Sequence, residues 1–118
     1  MRRMIFAAGV AAVAAALATP AAARDRTGYQ AIAAGDFGTA EQTVLAERRI
    51  FPDRPELMLN LATVYARTGR EAQAAALFRA VHAAPAVELE LPDGSFASSH
   101  ALAQAGERRL LSIQVAAK

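Results

Sequence analysis

The apolar positions of this chain fall into three patterns. Residues 4–17 form an unbroken apolar run without a charge. Residues 24–84 are dominated by Ala, Leu, Gln, Glu and Arg, which cost least in a helix, and they read as helices throughout. After Pro85 the period shortens. Val87-Glu88-Leu89-Glu90-Leu91 alternates apolar and charged, a strand pattern; Pro92-Asp93-Gly94-Ser95 is a turn signal; Phe96-Ala97 fits a short returning strand. An isolated hairpin is marginal in water, so Val87, Leu89 and Leu91 are expected to lie against helices. A final helix, capped by Ser98 or Ser99, is predicted to about Val115. Leu102, Gly106, Leu110 and Ile113 form its apolar stripe, and Leu111 and Val115 fall on the opposite side.

Within the helical region the stops recur. Gly35 and Gly69 stand 34 residues apart, as do Ala40 and Ala74, and Val44 and Phe78. A helix commonly ends on a left-handed residue, which glycine adopts without a Cβ clash. Asp36 is then an N-cap for a helix from Phe37 to about Ile50, closed by Phe51-Pro52. Asp53 or Arg54 is positioned to cap the next helix. Pro55 suits its first turn, and Glu56 lies three residues after Asp53, close to a capping box. That helix is predicted to reach Thr68, and a fourth runs from Arg70 to about Ala83. The unit is helix, tight turn, helix, stated twice at one period. In the second unit Leu61 and Tyr65 share a face as i and i+4. Ala62 and Ala74 are small enough for two helices to close on each other, and Phe78 projects into the same space.

Residues 55–85 resemble the tetratricopeptide repeat. Asn60, Leu61, Ala62, Tyr65 and Gly69 match the pattern of its first helix; Ala74, Phe78, Ala80 or Val81, and Pro85 match its second, with Pro85 one place early. Met58 stands where the family often has Trp. Residues 24–54 match less fully, through Gly28, Gly35-Asp36-Phe37, Ala40 and Pro52, with Ala31 in place of the Tyr. The resemblance implies a mostly α fold: a right-handed α-α superhelix with a short β-hairpin or strand and a C-terminal capping helix. It divides residues 24–84 into repeats 24–54 and 55–84, followed by a β segment and capping helix over 85–118. In the family the first helix of each repeat lines a concave groove that holds a peptide or helix of a partner. Carried over, the lining residues are Glu56, Leu59, Asn60, Thr63 and Arg67 in the second repeat and Tyr29, Ile32 and Ala33 in the first. Members that clasp a C-terminal carboxylate use several groove cations. Arg67 is the one basic residue that the second repeat supplies, so the chain departs from that mode.

The start of the chain changes the reading of its charge. Met1-Arg2-Arg3 is a short basic start, the apolar run is 14 residues, and Thr19-Pro20 and Ala21-Ala22-Ala23 precede Arg24. This is the layout of a secretory signal peptide over residues 1–23, cleaved near Ala23, and the run is short for a bilayer-spanning helix. The expected product is exported, periplasmic or secreted from a bacterium, without stable membrane insertion. The 13 basic residues less Arg2 and Arg3 leave 11 against 11 acidic ones, a formal net charge of zero. Only Arg48-Arg49 and Arg108-Arg109 are paired in the remainder, which points away from nucleic acid as a partner. There is no cysteine, hence no disulfide, thiolate metal site, thiol nucleophile or lipid-attachment cysteine.

No set of residues reads as a catalytic or cofactor site. His82 and His100 are the only histidines, and Glu88 or Glu90 as a third metal ligand gives no recognised spacing. Ser98-Ser99-His100 reads as helix capping, because a nucleophile and its base must meet in space with a third, orienting group. Asp36-Phe37-Gly38 matches one kinase signature without the rest of that set. The sequence therefore points to a non-enzymatic, cofactor-free module that binds another protein. Asn60 and Arg67 would fix the partner's orientation by hydrogen bonds. The alternative is a structural, homo-oligomeric protein that pairs through Leu111 and Val115 or through the end of its first repeat.

Overall fold

The computed structural model describes residues 25–116. The signal peptide expected over residues 1–23 lies outside them. The described chain is mostly helical. Its elements are α1 (Tyr29–Ala33), α2 (Phe37–Arg48), α3 (Pro55–Arg67), α4 (Glu71–Ala83), β1 (Glu88–Glu90), β2 (Phe96–Ser98) and α5 (Ser99–Ala116). No helix among the described residues is long and apolar enough to cross a membrane.

The two expected glycine stops occur where the chain bends. Gly35 has φ 79° and Gly69 φ 81°, left-handed values that a side chain would strain. The Asp36 N–H donates to Ala31 O and the Arg70 N–H to Tyr65 O, both at 2.8 Å. Donors and acceptors of these two bonds are each 34 residues apart. Asp36 also caps α2, its carboxylate accepting from the Thr39 N–H at 3.2 Å. The cap expected on α3 is absent. Arg54 occupies the N-cap without a side-chain bond, Pro55 opens the helix, and Glu56 turns back to Arg54 at 3.5 Å.

Packing follows the same register. Ala40 and Ala74 are both fully buried, and so, within a few per cent, are Val44 and Phe78. Val44, Leu57 and Leu61 form a small core between α2 and α3. Met58, Ala62, Ala74, Phe78, Val81, Ala103 and Leu110 form a larger one among α3, α4 and α5. Tyr65, half-buried, packs against both, and so does Leu77. Each helix packs on the next in sequence, and α3 additionally touches α1 on one side and α5 on the other.

The β segment is an antiparallel hairpin with Leu89 opposite Ala97. Leu89 packs on the larger core as expected, whereas Val87 is 43% exposed. Ser98 and Ser99 share the work of starting α5. The Ser98 hydroxyl accepts from the Ala101 N–H, and the buried Ser99 exchanges hydrogen bonds with the Val87 backbone. The buried face of α5 keeps most of the expected apolar stripe, since Leu110 is buried, Gly106 faces Phe78 and Leu102 packs half-buried on the larger core. It runs through Ser99, Ala103 and Leu110, with Gly106 against the Phe78 ring, while Ile113 is exposed. Gly106 stands where this face meets Phe78 because its missing side chain lets α5 close on the ring. Leu111 and Val115 are exposed, as their position opposite the stripe predicts.

Candidate functional site

The surface along α1 and α3 carries the residues expected to line a groove, and they divide into two kinds. Tyr29 is 46% exposed, Ala33 and Arg67 are exposed, and Ile32, Glu56 and Thr63 are half-buried. These form an accessible strip. The Arg67 guanidinium lies 5.0 Å over the Phe37 ring, so its charge is held near the start of α2 by cation–π attraction while its N–H groups stay in water. The Thr63 hydroxyl donates to Leu59 O at 3.0 Å, within its own helix.

Leu59 and Asn60 instead serve the fold. Leu59 is buried and belongs to the larger core. The Asn60 Nδ2 group donates to Thr27 O at 2.7 Å, tying α3 to the segment that leads into α1. That bond fixes the position of Tyr29 and Ile32 beside α3. Two further contacts hold the same junction. The Asp25 carboxylate accepts from the N–H groups of Gln30 and Ala31, each at 3.1 Å, and so caps the start of α1. Gly28, at φ 77°, sits so close to α2 that a Cβ there would come within 2.8 Å of Val44 Cγ2.

The turn after α3 is clamped to α2. The Arg70 guanidinium bonds Glu41 through two parallel N–H···O contacts of 3.0 and 2.6 Å, and it lies 4.6 Å over the Tyr65 ring. The hydrogen bond from Arg70 holds the Glu41 carboxyl below its ordinary value, against a smaller opposing effect of desolvation. This joins the two helical hairpins.

The histidines staple α4 to α5. His82, in the last turn of α4, has Nε2 2.9 Å from Glu107 Oε1, and His100 donates through Nε2 to Ala84 O at 2.7 Å. The rings are 5.4 Å apart, and both second partners lie on the α4–α5 junction rather than on the hairpin carboxylates. Among the described residues no three His, Cys, Asp or Glu side chains are arranged to hold a metal ion. On α5, Arg108, Leu111, Ser112, Val115 and Ala116 line a shallow, open trough.

Comparison of the chain with protein-family models, curated proteins and solved structures gives no match.

Proposed function

We propose that this chain is an exported, non-enzymatic protein-binding module built as a short tetratricopeptide-like array. Its two helical hairpins act as repeats, and α5 acts as the capping helix. The observation that carries the reading is the repetition of environment at 34-residue spacing: the left-handed glycines, the turn hydrogen bonds and the buried Ala and Val/Phe positions all recur. A stack of this kind turns the first helix of each hairpin to one side. The accessible strip there is Tyr29, Ile32, Glu56, Thr63 and Arg67. It offers an aromatic ring, aliphatic surface and one charge of each sign. A peptide or helix of another envelope protein would dock on these residues, with Leu59 and Asn60 holding the wall behind them. Because Leu59 is core, a test must leave it intact. A photo-crosslinking residue at Thr63 should capture one partner in the native envelope, and Arg67→Glu should abolish that adduct. A crosslinker at Arg79, on the exposed side of α4, should not give it. Identical adducts from both faces would count against the proposal.

The second reading is self-assembly, favoured by Leu111 at 61% and Val115 at 67% exposure on the open side of α5. Light scattering separates it from partner binding. A tight dimer lost in Leu111→Glu/Val115→Glu supports assembly; a monomer independent of concentration supports the docking module.

A further inference from the structure

Among the described residues the outer edge of β1 has no strand paired to it, and its charge pattern selects what fits there. Val87 and Leu91 exchange hydrogen bonds with Ser99 and Ser95, as the Ser99 N–H to Val87 O and Leu91 N–H to Ser95 O contacts of 2.7 Å mark. In an antiparallel ladder bonded and non-bonded pairs alternate, so Leu89 and Ala97 form the bonded pair between them. The N–H and C=O groups of Glu88 and Glu90 consequently point away from β2, along the outer edge of β1. Both residues are exposed. Side chains of directly opposed residues share a face. Leu89 and Ala97 face the helices, and so Glu88, Glu90 and Phe96 face solvent. Phe96 is directly across from Glu90 and 64% exposed. No ion pair involves Glu88 or Glu90 among the described residues.

We propose that the outer edge of β1 docks an extended segment of another polypeptide that carries Lys or Arg at alternate positions. Added as a strand, that segment bonds the free N–H and C=O groups of Glu88 and Glu90. Its residues opposite these two project to the same solvent face, where each cation meets a carboxylate. The Phe96 ring beside Glu90 gives the stem of one basic side chain apolar surface to cross. A second copy of the chain is the wrong occupant. Pairing β1 with β1 of a copy sets carboxylate against carboxylate, which is how edge strands block self-association. This site is independent of the α1–α3 strip, and each can fail without the other.

The test uses the ¹⁵N-labelled full chain and two short capped peptides, Thr-Lys-Val-Lys-Thr and Thr-Glu-Val-Glu-Thr, at low salt. The lysine peptide should shift the Glu88, Glu90 and Phe96 amides and protect the first two from hydrogen exchange. Two cross-strand charge pairs change sign between the peptides, so the lysine peptide should bind about tenfold or more tightly. Glu88→Lys/Glu90→Lys alters exposed side chains only and should reverse the preference. N-methylating the backbone of the lysine peptide on its pairing edge should abolish binding without any change to the protein, which keeps the test decisive if the variant misfolds. Equal response to both peptides, no response, or shifts confined to α1 and α3 would overturn the proposal; with no response, the carboxylates serve only to keep the edge unpaired.

Discussion

Replacing Gly106 by alanine sets two effects of opposite sign against each other. Gly106 lies in the middle of α5, where glycine costs about 1 kcal/mol relative to alanine through backbone entropy. On helix propensity alone the substitution stabilises. The packing predicts the reverse. A Cβ at position 106 would overlap Cε1 and Cζ of the Phe78 ring and come within 3.2 Å of Cε2. Phe78 is 3% exposed and surrounded by core side chains, so the ring has nowhere to swing. Either the ring leaves its rotamer or α5 moves off α4, and overpacking of this kind costs about 1–3 kcal/mol. The net expectation is a loss of up to about 2 kcal/mol once the propensity gain is subtracted. For a domain of this size each kcal/mol lost lowers the melting temperature by about 4–8 °C. The assay is thermal unfolding of four proteins: the parent, Gly106→Ala, Phe78→Leu and the double variant. Leucine lacks the ring atoms that the new methyl strikes, so Gly106→Ala should stabilise in the Phe78→Leu background. The two effects then appear as a coupling energy of the pair. A rise in melting temperature for Gly106→Ala alone would refute the close approach of α5 to Phe78, and with it the way this helix covers the stack.

Two further outcomes are expected from the contacts that join the hairpins. Asn60→Ala removes the donor to Thr27 O and should cost about 1 kcal/mol, while Asn60→Asp should cost more because it turns a carboxylate toward a carbonyl; chemical denaturation of the three proteins checks the order. Glu41 in the folded chain holds its proton less tightly than in the unfolded chain, so its contribution is complete above the ordinary carboxyl range and is lost as pH falls through the lowered folded value. Glu41→Gln should therefore flatten that part of the acid limb of stability against pH, and an unchanged limb would show that the Arg70 clamp is not the cause.

The turns were legible in the sequence because their chemistry is local. Gly35 and Gly69 adopt the left-handed conformation that glycine favours, Asp36 accepts the bond an N-cap accepts, and Pro55 opens a helix whose first N–H needs no partner. The alternation over residues 87–91 gave the first strand for the same reason. What escaped depends on distant partners. The expected stripe of α5 held Leu102, Gly106 and Leu110 but not the buried Ser99 and Ala103, which are too small to show an apolar signal of their own. Asn60 looks available on α3 until Thr27, 33 residues earlier, is seen to accept from it. Leu59 looks like groove lining until the larger core, shared with Ala103 and Leu110 of α5, takes it in. Arg70 and Glu41 are 29 residues apart, and neither sits at a spacing that marks a pair. Each miss concerns a partner distant along the chain, a tertiary fact with no periodic trace.

Stability is distributed unevenly along the stack, and this bears on the proposed binding strip. α1 has five residues and no fully buried side chain. It is held by the Asp25 carboxylate at its start, by the seating of Gly28 on α2 and by the Asn60 bond from α3. α3 and α4, by contrast, share the larger core with α5, where each fully buried Leu or Phe contributes about 1.5–3 kcal/mol. Local opening should therefore begin at α1, at a free energy well below that of global unfolding. Tyr29 and Ile32 stand on that segment, whereas Thr63 and Arg67 stand on the stable helix beside it. A partner that docks across both must order α1, so binding should protect the α1 amides from hydrogen exchange more strongly than those of α3. Asn60→Ala, which loosens α1 without touching Thr63 or Arg67, should weaken binding by the fraction of molecules in which α1 is open. Protection that rises equally along α1, α3 and α4, or affinity unaffected by Asn60→Ala, would mean that the partner rests on the rigid core alone and that the first hairpin takes no part in holding it.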